Sequence, residues 1–164
     1  MLKTTILSVS ALLLSTLAAF AMPTVGDQAT YDVTVVKEGQ TYSATSVIEL
    51  VQFDATKGQY LERETQTMAG QQPQVTDTWK AASDLLTEAK ADQLLANCNA
   101  AGGTSAAVNV PAGNFSTCVL PVQDDAGKPS GKVWLSKVPF GVVHAEVDQD
   151  GVSAVVNLRA YTIK

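Results

Sequence analysis

"GGTSAAVNVPAGNFSTCVLPV", residues 102–122, contains two strand-like segments on either side of Pro111-Ala112-Gly113. The valine, threonine and phenylalanine residues of both segments are typical of β-strands. Proline presets φ near −65° and glycine tolerates positive φ, so the tripeptide predicts the corner of a β-hairpin. Cys118 lies on the second of the two predicted strands.

The same period-two alternation extends through most of the chain. The Asp150-Gly151 dipeptide is the strongest of the turn signals that separate the segments, because both residues tolerate positive φ. The predicted strands are 31–35, 41–53, 60–68, 75–80, 104–110, 115–122, 132–136, 141–147 and 152–163. Short connections favour antiparallel pairing of consecutive strands. We therefore predict a mainly β fold, a curved antiparallel sheet or half-barrel of about nine strands with one short helical insertion.

A helical pattern interrupts the strands between residues 83 and 100. The residues that recur at i, i+3, i+4 and i+7, and so share one helix face, are Ala91, Leu94, Leu95 and Cys98. Ser83 is a candidate N-cap for a helical turn before this face. The pattern predicts a short helix that packs against the sheet through its apolar side.

The chain contains two cysteines, Cys98 and Cys118. In an exported protein an even number of cysteines indicates a disulfide, which on the chain-entropy account would stabilise the fold by about 3 kcal/mol. A metal pair and a redox couple are the alternatives. The spacing lacks a C-x-x-C motif and the chain has a single histidine, which is a poor basis for a zinc site.

The N-terminal residues have the pattern of a signal peptide. Lys3 precedes an apolar run at residues 6–20, and Ala19-Phe20-Ala21 fits the small-x-small cleavage pattern. The run is shorter than the roughly 20 residues that a membrane helix needs. We predict cleavage after Ala21, which gives a signal peptide at 1–21 and a single β-rich domain at 22–164, without a transmembrane segment and located in the periplasm or outside the cell.

The charge of the predicted mature chain is acidic. Lys3 leaves with the signal peptide, so sixteen acidic and ten basic residues remain, a net charge of about −6. Nucleic-acid binding requires clustered lysine and arginine, and attachment to anionic lipid requires the same. The composition therefore argues against both partners.

The residues that are candidates for catalysis can also be explained by a structural role. His144 is predicted on a strand face with Val142 and Glu146, and a catalytic histidine needs a nucleophile or acid beside it. Glu62 and Glu64 share a face of one strand, where paired carboxylates are candidates for acid–base catalysis but also suit a solvated sheet face. We predict no catalytic residue, no metal ligand and no cofactor, and we expect that the protein is not an enzyme.

Large apolar residues are the candidates for ligand binding. Aromatic residues in a small β protein usually form the core, but they can also line a cavity in a half-barrel. The candidate ligand-binding residues are Trp79, Leu94, Leu95, Phe115, Trp134 and Phe140. Both interpretations remain open from the sequence.

Two stretches, "VNVPAGNFSTC" and "GKVWLSKVPFGVVHAEV", resemble a V-P-A-G-x-F hairpin motif of small exported bacterial β proteins of unknown function. The layout of those proteins is similar to that of the LolA/LolB-like lipoprotein-carrier half-barrels, in which a curved antiparallel sheet wraps around a helical lid. The resemblance spans residues 108–147, and the helical stretch at 83–100 corresponds to the lid. It implies that the protein binds an apolar molecule.

We therefore expect a periplasmic or secreted binding protein that holds a lipid or another apolar ligand on the concave face of its sheet. The alternative is an envelope structural or protein-interaction module with a filled core and no ligand. Such a module would recruit an envelope protein through exposed strand edges or loops.

Overall fold

In the computed structural model, which describes residues 23–124 and 126–164, nine strands form one antiparallel sheet. Their bounds are β1 (Gln28–Lys37), β2 (Gln40–Asp54), β3 (Gln59–Met68), β4 (Gln74–Ala81), β5 (Thr104–Val110), β6 (Gly113–Gln123), β7 (Pro129–Leu135), β8 (Val142–Gln149) and β9 (Val152–Thr162). The spatial order is β4-β3-β2-β1-β9-β8-β7-β6-β5. The sheet is not closed, and β4 and β5 are its edges. The predicted mainly β fold and its nine strands are confirmed; the predicted signal peptide lies outside the described residues.

The connection from β4 to β5 carries the helix α1 (Glu88–Ala96), the one α-helix among the described residues. Because β4 and β5 are opposite edges of the sheet, this connection has to cross one of its faces. The N-cap of α1 is Thr87, whose Oγ1 accepts a hydrogen bond from the Lys90 N–H at 3.2 Å. The predicted Ser83 cap is wrong: Ala82–Asp84 form a 3₁₀ turn without a side-chain cap, and the Ser83 hydroxyl donates to Asp84 instead.

The predicted disulfide between Cys98 and Cys118 is present, and both residues are buried. It joins the segment that follows α1 to β6. Gly103 lies against it, because a Cβ at this position would be 2.7 Å from the Cys118 Sγ. The disulfide therefore holds the C-terminal end of the helix on the sheet.

The hairpin of β5 and β6 has the predicted corner. Val110 pairs with Gly113, whose φ is 130°, so Pro111 and Ala112 form the two-residue connection. The Ala112 N–H donates to the Leu158 carbonyl of β9 at 3.1 Å. β5 also contacts β8 and β9, although three strands separate β5 from β9 in the sheet. The sheet is therefore strongly curved, and its β5 edge folds back over one face.

That face is called the concave face below, and it carries Tyr31, Ser46, Leu50, Tyr60 and Leu158. Cross-strand pairs place Tyr31 beside Ser46 and Leu158, on the same side of the sheet. The opposite, convex face carries the residues that alternate with these along each strand.

Two buried clusters lie on the concave face. The first consists of Ala29, Tyr31, Val110, Val138, Val143 and Leu158, and the second of Leu50, Tyr60 and Leu85. Phe140 packs against both clusters, so it links the two halves of the core. Within the described residues, no helix has the length and apolar character needed to cross a membrane.

Candidate functional site

A cleft of about 220 Å³ opens on the concave face, between the start of α1, the β7–β8 loop and the segments 23–27 and 163–164 that flank the sheet. Its lining is mainly apolar. The lining residues are Pro23, Thr24, Asp27, Leu50, Leu85, Leu86, Thr87, Glu88, Ala91, Lys137, Val138, Pro139, Phe140, Ile163 and Lys164. Such a concave, mostly apolar site with a few polar groups is typical of small-molecule binding.

One wall of the cleft is the β7–β8 loop, residues 136–141. The Ser136 N–H donates to the Gly141 carbonyl at 2.8 Å and the Gly141 N–H donates to the Val138 carbonyl at 2.9 Å, which closes the loop on itself. Phe140 and Gly141 both have positive φ, 61° and 77°. On this turned backbone, the Phe140 side chain packs against both buried clusters.

The opposite wall is the segment that leads into α1. Leu85 is buried, and Leu86 lies so close to the loop that a Cβ on Gly141 would come within 2.4 Å of the Leu86 Cδ2. The Lys90 ammonium donates to the carbonyls of Ser83 and Leu85 and so holds this segment against the helix. The glycine at position 141 therefore allows the two walls to meet at the end of the cleft.

Charged groups lie at the mouth of the cleft. The Lys137 Nζ is 2.5 Å from a Glu88 carboxylate oxygen and 3.1 Å from one of Asp92, and hydrogen bonds to these two carboxylates raise the pKa of Lys137. Asp27 is buried and its carboxylate accepts hydrogen bonds from the backbone N–H groups of Thr24, at 2.8 Å, and Lys164, at 2.9 Å. The Lys137 pairs connect the β7–β8 loop to α1 across the opening.

A second cavity, of about 400 Å³, lies on the same face of β1, β2 and β3. Its lining residues are Val33, Val35, Lys37, Tyr42, Ala44, Ser46, Gln66 and Met68. Tyr31 and Ile48 lie between this groove and the cleft, and the Tyr31 hydroxyl donates to the Val142 carbonyl at 3.2 Å. Residues of α1 line the cleft but not this groove, so the concave face has a covered end, under α1, and an end that α1 does not cover, called the open end.

The six predicted ligand-binding residues do not form one site. Phe140 lines the cleft, and Phe115 packs against the first core cluster with its ring 6.2 Å from that of Tyr161. Leu94 and Leu95 are half-buried on α1 and are not among the residues that line the cleft.

Both tryptophans lie on the convex face. Trp79 pairs with Leu61, next to the concave-face pair of Tyr60 and Lys80, and it is 43% exposed. Trp134 pairs with His144, and the two rings meet edge to face at 4.5 Å. Neither indole reaches the cleft.

His144 is held on the convex face by two side chains. Its Nδ1 is 2.8 Å from the Asn157 Oδ1, and its Nε2 is 3.2 Å from a Glu146 oxygen. Only 12% of its side chain is exposed. Among the residues described, no group of three or more His, Cys, Asp and Glu residues is placed to hold a metal ion.

Glu62 and Glu64 share the concave face with Tyr60, as predicted. Glu64 accepts hydrogen bonds from the Ser46 hydroxyl and the Gln66 amide, both at 2.8 Å. The Glu62 side chain is 19% exposed and lies 3.9 Å from the Lys80 Nζ. Burial raises the pKa of Glu62; Lys80 opposes this shift, and the nearby Glu64 adds to it.

The sequence did not identify most of the cleft residues. Leu85, Leu86 and Val138 lie in connections, where the alternation of strands gives no signal. One sequence pattern could have identified cleft residues. It is "SKVPFG" at 136–141, where a proline and a glycine beside apolar residues interrupt the alternation.

No protein family and no curated protein matches the chain. Three solved structures are similar to it. A protein with a YmcC-like fold from Bacteroides fragilis, described as exported, is 12% identical, with 87% of this chain and 98% of that one covered and a TM-score of 0.48. MucB, solved in complex with the periplasmic part of MucA, is 11% identical, with 85% and 50% covered and a TM-score of 0.44.

The third structure is a LolA superfamily protein from Nitrosomonas europaea, which is 10% identical, with 96% and 94% covered and a TM-score of 0.26. The structural neighbours thus include a YmcC-like protein and a LolA superfamily protein. The chain spans half the length of the MucB structure.

Proposed function

We propose that this protein is an exported binding protein that holds an apolar molecule in the cleft of its concave face. The observation that carries the proposal is the cleft itself, with apolar walls from Leu50, Leu86, Val138 and Phe140 and one open side. Removal of apolar ligand surface from water would supply the binding free energy.

The size of the cleft limits what enters it. An apolar cavity of about 150 Å³ holds one benzene ring. The cleft measures about 220 Å³ and therefore suits a single ring or the end of one acyl chain. The remaining, polar part of such an amphiphile would lie at the mouth, beside Lys137 and Glu88.

The proposal is one of binding and not of catalysis, because the candidate acid–base groups already have structural partners. His144 is paired with Asn157 and Glu146 on the convex face, away from the cleft. Glu64 accepts hydrogen bonds from Ser46 and Gln66.

We place the protein in the periplasm or outside the cell. The signal-peptide pattern at 1–21 supports this location, and so does the disulfide, because such bonds persist in oxidising compartments.

The test is a titration with the apolar fluorophore N-phenyl-1-naphthylamine, followed by its displacement with palmitate. Leu86→Trp fills the cleft from its end wall and should weaken binding at least tenfold. Val75→Trp is the matched control, because it adds the same indole at an exposed position on the convex face. Circular dichroism should show that both variants are folded.

The result that contradicts the proposal is a wild-type protein that shows no saturable binding and carries no lipid in native mass spectra after purification. A Val35→Trp variant locates the site on the concave face. If this variant loses binding while Leu86→Trp retains it, the ligand occupies the open groove and not the cleft.

An envelope interaction module is the second candidate function. The observation that favours it is the filled centre of the concave face, where Tyr31, Val143 and Leu158 are buried together. In that case crosslinking in intact cells should recover one envelope protein, and Leu86→Trp should leave its recovery unchanged.

A further inference from the structure

The two edges of the sheet differ in how they are covered. The β5 edge folds back over β8 and β9, whereas β4 contributes a row of exposed residues from Gln74 to Trp79. An uncovered edge strand offers unpaired N–H and C=O groups to another strand.

The pairing of β4 with β3 determines which backbone N–H and C=O groups of β4 point away from the sheet. The Ala82 N–H donates to the Gly58 carbonyl at 2.9 Å, in line with the register that pairs Ala81 with Gln59. Hydrogen-bonded pairs alternate along an antiparallel ladder. The even-numbered residues of β4 therefore bond to β3, and the backbone groups of Val75, Asp77 and Trp79 point away from the sheet.

β4 has few of the features that block an edge. It is eight residues long, it contains no proline, and its register with β3 shows no bulge. Lysines, prolines and bulges are the usual means of preventing strand addition. Lys80, near the end of the strand, is its only lysine.

The side chains on the convex face of β4 are arranged symmetrically around Asp77. Val75 is 58% exposed and Trp79 is 43% exposed, two residues before and two residues after it. When two copies of such a strand pair antiparallel about position 77, each valine lies opposite a tryptophan. Aromatic and β-branched residues in directly opposed positions stabilise a strand pair.

We propose that two copies of this protein associate through β4, antiparallel and centred on Asp77, so that the sheet continues from one protomer into its partner. Val75 then exchanges both backbone hydrogen bonds with the partner's Trp79, and Asp77 does so with the partner's Asp77. The same two side-chain contacts form on both sides of the two-fold axis, which is the requirement for an isologous interface.

In this register the two Asp77 carboxylates lie opposite each other, and each is already paired with an arginine. Each is held by its own Arg63, through hydrogen bonds of 2.8 Å from Nε and 2.7 Å from Nη2. The centre of the interface therefore contains two ion pairs and has no net charge. A register centred on residue 76 or 78 would instead place Asp77 opposite Val75 or Trp79, with a carboxylate against an apolar side chain.

The association should be weak and should leave the cleft free. A single pair of strands buries less than the standard interface of about 1,600 Å², so we expect a dimer that forms at micromolar or higher concentration. Val75 and Trp79 lie on the convex face, and the cleft opens on the concave one. The inference is therefore independent of the proposed ligand.

Analytical ultracentrifugation over a wide concentration range tests the proposal, with Trp79→Lys as the disruptive variant. A lysine at this position would face the partner's Val75 and should raise the dissociation constant of the dimer at least tenfold. Thr78→Lys is the matched control: it adds the same charge one residue earlier, on the concave side, and should still dimerise. Val75→Pro removes an outward N–H without loss of a bond to β3 and should also give a monomer.

Amide hydrogen exchange identifies the interface. At high concentration the N–H groups of Val75, Asp77 and Trp79 should become protected, whereas those of Thr76 and Thr78 should be protected at every concentration. A wild-type protein that stays monomeric throughout overturns the proposal, and so does a dimer in which the three outward amides remain unprotected.

Discussion

The covered and the open end of the concave face are built from the same kind of strand but have different surroundings. At the covered end, Leu50 and Tyr60 are buried beneath Leu85 and Phe140. At the open end, Val33 and Val35 lie along a groove of about 400 Å³. All of these strand residues alternate with residues of the convex face.

The difference shows that the connections, and not the strands, decide which apolar residues become core. The β4–β5 connection has to cross the concave face, and its disulfide fixes where it does so. Strand residues under this crossing gain packing partners, whereas equivalent residues beyond it remain half-buried. The largest effects of substitution should therefore be found under the crossing.

Leu50→Ala should have the largest effect on stability. Leu50 is 1% exposed, and truncation of a fully buried leucine costs about 3–5 kcal/mol because a cavity remains. Val35→Ala, at the open end, should cost less than about 1 kcal/mol. Urea denaturation of both variants measures the difference, and equal losses would contradict the distinction between the two ends.

Removal of the disulfide should have the next largest effect. The double variant Cys98→Ser/Cys118→Ser loses the crosslink across 20 residues of chain, which corresponds to about 3 kcal/mol on the chain-entropy account. The helix should loosen before the sheet melts, so the helical circular dichroism signal should be lost at lower denaturant. Wild-type protein in reductant is the control, and an unchanged midpoint in both would refute the role of the disulfide.

Gly141→Ala should narrow the cleft at the covered end and should lower the stability of the protein moderately. Gly141 and Gly151 have nearly the same φ, 77° and 76°, but only at Gly141 does an added Cβ collide, with the Leu86 side chain. Both alanine substitutions should lower the free energy of unfolding by about 1 kcal/mol, because alanine disfavours the left-handed backbone conformation. Gly141→Ala should lower the free energy of unfolding by about 1 kcal/mol more, and this variant should bind the fluorophore less tightly. If the two variants have the same melting temperature and affinity, the contact with Leu86 is unimportant.

Tyr31, at the boundary of the two ends, should make stability fall at alkaline pH. Burial raises the pKa of Tyr31 well above its usual range, and the negative charge of Glu62 adds to this. The unfolded chain therefore ionises first, so stability is complete below about pH 10 and decreases above it, by about 1 kcal/mol per pH unit. Tyr31→Phe should remove this part of the pH dependence in urea titrations. An identical alkaline decrease in the variant would assign it to other groups.

The periodicity of the chain predicted the strands because strand side chains alternate whatever their partners. The Asp150-Gly151 turn was predicted correctly, and both residues have positive φ. The disulfide followed from a cysteine count that allows a single pairing. The helix was placed correctly, but the Ser83 cap predicted for a helical turn before it was wrong, because the Ser83 hydroxyl bonds to Asp84 instead.

The candidate site was far less predictable. Of the six residues predicted to bind a ligand, only Phe140 lines the cleft. Trp79 and Trp134 are large and apolar, as the prediction required, but they lie on the convex face. Which face of a strand is concave depends on the direction in which the sheet curls, and the alternation is the same for either direction.

The sequence by itself determined the strand content, the hairpin corners and the single disulfide, since each depends on residues that are close in the chain or few in number. The tertiary structure decided which face is concave, which residues α1 and the β7–β8 loop bring together, and that, among the described residues, β4 is the exposed edge. These features arise from contacts between residues far apart in sequence, such as Leu86 with Gly141 and Ala112 with Leu158. Local periodicity contains no information about contacts of this range.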